Sequence, residues 1–147
     1  MSTTLDLSPA VRRDIADACE RLVLDYAHFA DHGQMEDWAK LFAEDGELHL
    51  FGQVHKGRKA IQGAIGGGAA PSSTPGSMHV TTNFRLDVAS ETEASATAYV
   101  AAYVKAPGAA AGSVTPVAVG IYRDRYRRTA EGWRFAQRAF EPFAMPS

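Results

Sequence analysis

The chain has 147 residues, enough to close one sizeable core and within the range of a single domain, expected here to run over 1–147. Hydrophobic residues make up 46% of it and charged residues 22%, the balance of an ordinary globular protein. A formal charge of −2 gives no electrostatic reason to expect nucleic acid or an anionic membrane as partner, and no apolar run reaches the roughly 18 residues of a membrane span. Asp6, Asp14 and Asp17 near the start, with no apolar segment behind a basic one, argue against a secretory leader. The single cysteine, Cys19, has no partner for an internal disulfide and falls on a helical apolar face, so it reads as a buried structural thiol. A reducing cytoplasm fits these features.

Ser8-Pro9 is a helix start, a capping hydroxyl followed by proline at the first helical position. Ile15, Cys19, Leu22, Tyr26 and Phe29 then recur at helical spacing, and Gly33 stands where a left-handed residue ends the helix. A short second helix presents Met35, Trp38, Leu41 and Phe42 on its inner face. Glu44-Asp45-Gly46 reads as a turn, Glu47 to Phe51 as a strand, and Gly57 leads into a third helix with Ile61 and Ile65 one turn apart. Residues 66–77 are a Gly/Ala/Ser/Pro loop, expected to be flexible, either plain surface or a lid over a pocket.

The remainder reads as strand. Met78 to Val88 alternates, with Val80, Thr82, Phe84, Leu86 and Val88 on one face and His79, Thr81, Asn83, Arg85 and Asp87 on the other. Which face lines a pocket and which meets a second subunit stays open at this point. Glu93 to Lys105 is Ala-rich and carries Tyr99 and Tyr103; Val114 to Arg128 and Trp133 to Phe140 follow, joined by the turn at 129–132. Helices first and long strands afterwards predict an α+β domain with an antiparallel sheet. Arg123 to Arg128 alternates charge with Asp124 and Tyr126, which fits a solvated strand face better than an RNA-binding one.

Four segments carry a resemblance: Tyr26 to Asp31, Asp37 to Gly46, His79 to Asn83, and Tyr122 to Tyr126 with Gly132 to Phe135. From about Ile15 to Phe140 the chain resembles the SnoaL-like branch of the nuclear-transport-factor-2 superfamily. That resemblance implies a cone-shaped α+β fold, N-terminal helices packed on a strongly curved antiparallel sheet around one small-molecule pocket. Within it the chain is most similar to the scytalone dehydratase, hexachlorocyclohexane dehydrochlorinase and bile-acid dehydratase subgroup. Those enzymes share an Asp at the end of the first long helix and a His opening the first long strand, places held here by Asp31 and His79. The resemblance implies a His–Asp dyad, with imidazole as a base suited to neutral pH and the carboxylate orienting it. A carboxylate in the last turn of a helix also needs a compensating partner.

Tyr26 is a third catalytic candidate, its hydroxyl placed to polarise a substrate oxygen, although a core tyrosine fits the same stripe. Asn83, Arg138, Tyr99 and Tyr103 are the substrate-binding candidates; Arg138 matches an arginine position of the bile-acid dehydratase. Two departures argue against scytalone itself as substrate: Ala30 replaces the tyrosine directly before the Asp, and Glu93 to Lys105 holds no second histidine. His28, His32, His49 and His55 lack the pairing with nearby acids that a zinc site shows, so no metal is expected, and no cofactor. The expected activity is that of a cofactor-independent lyase dehydrating a hydroxylated cyclic molecule. An isomerase or cyclase with the same dyad and a non-catalytic binding protein remain as alternatives. A homo-oligomer, dimer or trimer, is the expected assembly.

Overall fold

A computed structural model describes residues 6–65, 76–105 and 114–144. Helix α1 runs Pro9–Asp31; the Ser8 hydroxyl accepts from the Val11 N–H at 3.2 Å, and Gly33 follows the C-cap at φ +71°. Ile15, Cys19, Leu22, Val23 and Tyr26 form its buried face. Helix α2 (Met35–Ala39) buries Trp38, and α3 (Arg58–Gln62) buries Ile61, whereas Ile65 lies beyond α3 and is exposed. Among the described residues no helix is long and apolar enough to cross a membrane.

Six strands follow: β1 (Phe42–Leu50), β2 (Gln53–Lys56), β3 (Ser77–Val88), β4 (Glu93–Val104), β5 (Thr115–Thr129) and β6 (Gly132–Ala144). They form one sheet in the order β2-β1-β6-β5-β4-β3. Four of the pairings are antiparallel as expected, but β1 runs parallel to β6, so the sheet is mixed. The chain reaches β6 from β1 only after completing β3, β4 and β5, which brings it back in the same direction. The expected turn at Glu44-Asp45-Gly46 lies inside β1, where the pairing with β6 breaks between Phe42 and Glu47. Strand β2 was not expected. It returns from β1 through the two-residue tip Phe51-Gly52, at φ +48° and +78°. Two positive φ values mark the tight hairpin turn whose twist matches its strands, and they suit Asn or Gly; a bulky residue there costs about 1–2 kcal/mol.

The concave face of the sheet packs on α1, with Trp38, Phe42, Leu48, Ile61, Tyr126 and Phe135 at the centre of the core. Cys19 is fully buried in it, and burial, with Asp124 adding, pushes its thiol up to about 12. Along β4 the inward row is Ala94, Ala96, Ala98, Val100 and Ala102. Alanine is a poor strand former; its value here is the space that short side chains leave under the curve of the sheet. Residues 66–75 of the anticipated loop lie outside the described residues, and Ser77 opens β3.

Of the register shifts in the sheet, two change the alternation on which the site's face assignments rest. In β3 the register with β4 slips between Thr82 and Arg85, and Asn83 sits at φ +56°. One extra residue reverses the in–out phase of a strand. Ser77, His79 and Thr81 therefore turn inward on one side of the bulge, and Phe84, Leu86 and Val88 on the other. Val80 and Thr82, expected to share a face with Phe84, point outward. In β6 the register with β5 slips at Ala136, so Phe135 and Arg138, three apart, are both buried.

Candidate active site

Asp31 is the last residue of α1 and faces the opening of β3. Its carboxylate accepts from the Ser77 hydroxyl at 3.0 Å, from the His79 backbone N–H at 3.0 Å and from the His79 ring, with Oδ1 2.5 Å from Nδ1. Three donors thus offset the unfavourable end of the helix dipole. An ionised carboxylate only accepts, so the contact favours the Nδ1–H tautomer, in which the neutral ring carries its lone pair on Nε2. His79 lines a cavity of about 430 Å³ under the curved sheet, a volume suited to one small organic molecule.

The cavity wall is mostly apolar: Leu50, Ala64, Ile65, Val100, Ala102, Val104, Val117, Ala118 and Phe140. Polar groups come from Ser77, His79, Gln53, His55 and the tyrosines Tyr26 and Tyr122. Tyr26 and Tyr122 are almost fully buried, edge-on to each other with ring centroids 5.6 Å apart. Burial raises both hydroxyls above the ordinary tyrosine value; Tyr122 adds to the rise at Tyr26, and Arg138 opposes it at both. Both stay protonated donors at the edge of the hollow.

Arg138, expected as a substrate-binding residue, is placed elsewhere by the structure. It is fully buried, outside the cavity wall, in a bidentate ion pair with Asp124, Nε to Oδ1 at 2.8 Å and Nη2 to Oδ2 at 3.1 Å. Asp124 also accepts from the Tyr126 hydroxyl at 2.8 Å. The guanidinium lies 3.6 Å from the Tyr122 ring centroid and 4.2 Å from that of Tyr26. Burial works against its charge, but Asp124 and the flanking tyrosines more than restore it. Its Nη1 has no hydrogen-bond partner among the described residues. The guanidinium therefore lies over the rings of the two tyrosines that line the cavity rather than in the cavity wall itself.

Of the residues expected at the site, Asp31 and His79 meet, and Tyr26 lines the same cavity as His79. Asn83 does not: it occupies the bulge and is exposed, where its tolerance of a left-handed backbone turns His79 inward. Tyr99 and Tyr103 also face away, because the even-numbered residues of β4 take the inner face; Tyr99 is 52% exposed. The expected solvated face at 123–128 holds for Arg123 and Arg125, while Asp124 and Tyr126 point into the core. Ser77, Tyr122 and Asp124 were missed. Ser77 carries a signal in hindsight, two residues before His79 and so on the same strand face.

Solved structures share this architecture. A Novosphingobium aromaticivorans protein named provisionally as a scytalone dehydratase is 25% identical over 95% of this chain and 91% of that one, with a TM-score of 0.80. An NTF2-like protein with a cystatin-like fold from the same organism is also 25% identical, over 97% and 94%, at 0.76. A Catenulispora acidiphila protein in complex with S-DNPA is 22% identical over 88% and 94%, at 0.73, a likeness of fold. No curated protein matches the chain. The SnoaL-like domain matches residues 12–139. With its helices packed on an open, curved six-stranded sheet, the chain belongs to the SnoaL-like family.

Proposed function

We propose that the protein is a lyase that removes water from a hydroxylated cyclic small molecule, with His79 as general base and Asp31 as its orienting partner. The observation that carries this reading is the 2.5 Å contact between Asp31 Oδ1 and His79 Nδ1 at the edge of an apolar hollow. Nε2 takes a proton from the carbon beside a ring carbonyl. The electron pair moves toward the carbonyl, and the Tyr26 and Tyr122 hydroxyls donate to the oxygen as negative charge develops there. The β-hydroxyl then leaves as water, taking back the proton from the imidazolium. All the groups this needs are side chains of the chain. The name carried by the 25%-identical Novosphingobium structure lends support to the reaction type. Ala30 and the lack of histidine in β4 still argue against scytalone as the substrate.

The test uses a β-hydroxytetralone, whose dehydration gives fluorescent naphthol. Turnover above the buffer rate is the expected result. Tight binding of the ketone without naphthol would instead assign a non-catalytic binding protein. Rearrangement of a ring double bond without loss of water would assign an isomerase working with the same pair.

The assembly belongs to the same reading. On the convex face Met78, Val80, Tyr99 and Phe143 stand exposed, an apolar patch that two copies related by a two-fold axis can cover with itself. Light scattering is expected to give a multiple of the single-chain mass, and Val80→Glu with Tyr99→Glu to reduce it to one chain. A wild-type protein that runs as a single chain would contradict this.

A further inference from the structure

The tip of the β1–β2 hairpin is the place where local preference and residue identity disagree. Phe51 occupies the first left-handed position of a turn that favours Asn or Gly, and it is 64% exposed, so burial does not offset the strain. What the position achieves is to hold an aromatic ring at the cavity wall. Phe51 meets Phe140 edge-on at 5.6 Å, Phe140 meets Tyr122 at 6.0 Å, and Tyr122 meets Tyr26 at 5.6 Å. One aromatic wall therefore runs from solvent to the buried tyrosines.

The charge distribution narrows the ligand further. No Lys or Arg is among the described residues lining the cavity. The Arg138 guanidinium is paired with Asp124, and the Asp31 carboxylate with the His79 ring. An anionic ligand would find neither an ammonium nor a guanidinium in the described lining, whose titratable groups are His55, His79 and two tyrosines.

We propose that Phe51 is the specificity-determining residue of the site, stacking on flat, uncharged, conjugated ring systems and selecting them over saturated or anionic molecules of similar size. This deepens the reading of the hollow as a ligand site but does not depend on the chemistry assigned to His79. Stacking rewards a π face, whereas simple apolar filling rewards volume alone.

The experiment measures binding of naphthol, decalol (its saturated counterpart) and naphthoate (an anionic counterpart) by calorimetry. The proteins are wild type, Phe51→Ala, Phe51→Asn and His79→Ala. Naphthol is expected to bind wild type at least tenfold more tightly than naphthoate. Both Phe51 variants should weaken naphthol about five- to tenfold and decalol less than twofold. Phe51→Asn suits the turn, so its thermal midpoint should match or exceed that of wild type, which separates lost stacking from misfolding. Equal losses for naphthol and decalol, no loss for either, or a fall in the Phe51→Asn midpoint would overturn the proposal. So would wild-type protein that ignores naphthol or takes naphthoate as tightly. His79→Ala should bind naphthol while losing turnover; a His79→Ala protein that still turns over sinks the base assignment and leaves the Phe51 result standing.

Discussion

Replacing His79 by alanine is expected to lower the rate of β-hydroxytetralone dehydration by about 10²–10⁴-fold, with the fold intact and KM little changed. The imidazole supplies the base at one edge of an apolar cavity, and no other described lining residue stands in the same relation to a carboxylate. Asp31→Asn should cost on the order of 10²-fold, because an amide can donate to Nδ1 and so favour the opposite tautomer, with the proton on Nε2 where the lone pair is needed. Ser77→Ala serves as the control. It removes one donor to Asp31 but leaves the ring and backbone contacts of His79, so its effect should stay below about tenfold. Steady-state kinetics on the four proteins check the series. Equal rates for wild type and His79→Ala would dismiss the base.

The largest effect on stability is expected at Arg138. Arg138→Leu leaves the Asp124 carboxylate buried without its counter-ion, and breaking a buried pair in this way costs about 3–5 kcal/mol. For a chain of this size that corresponds to a fall in thermal midpoint on the order of 10 °C. Removing both charges, as in Arg138→Leu with Asp124→Leu, should recover much of the loss, since an apolar pair avoids the desolvation of both ions. The double variant should nevertheless turn over poorly, because Tyr26 and Tyr122 lose the guanidinium stacked on their rings. Calorimetry and kinetics together separate the two roles. A double variant as active as wild type would confine Arg138 to stability.

The helices were legible because their signals are local. Ser8-Pro9 caps α1, Gly33 ends it, and the spacing of Ile15, Cys19, Leu22 and Tyr26 sets its buried face. The strands were legible in extent but not in facing. A period of two has no way to register an inserted residue, and the bulges at Asn83 and Ala136 each insert one. Asn83 was therefore weighed as a pocket residue when its contribution is conformational. His79, grouped by strict alternation with residues that face out, turns in. Arg138 is a similar case: three residues from Phe135, it reads as the opposite face until the bulge brings both inward. Its partner Asp124 sits in a run of alternating charge that resembles a solvated face, and only the pairing of β5 with β6 shows the two meeting. Tyr99 and Tyr103 are the aromatic residues of β4, yet the strand meets the cavity through Val100, Ala102 and Val104, whose apolar side chains carry no chemical signal. Strand β2 was missed because Phe51-Gly52 is an unfavourable hairpin tip, and that conflict is the feature pointing to a role for Phe51.

The claim on which the account rests is that the His79 imidazole, held by Asp31, presents a basic nitrogen to a carbon acid in the hollow. It is tested most directly by exchange of the α-protons of unsubstituted tetralone in deuterium oxide, followed by NMR, where no leaving group takes part. The account predicts that wild-type protein accelerates exchange well above buffer, and that His79→Ala returns it to the buffer rate while still binding the ketone. Exchange that persists undiminished in His79→Ala, or a wild-type protein that binds tetralone without exchanging it, would contradict the account.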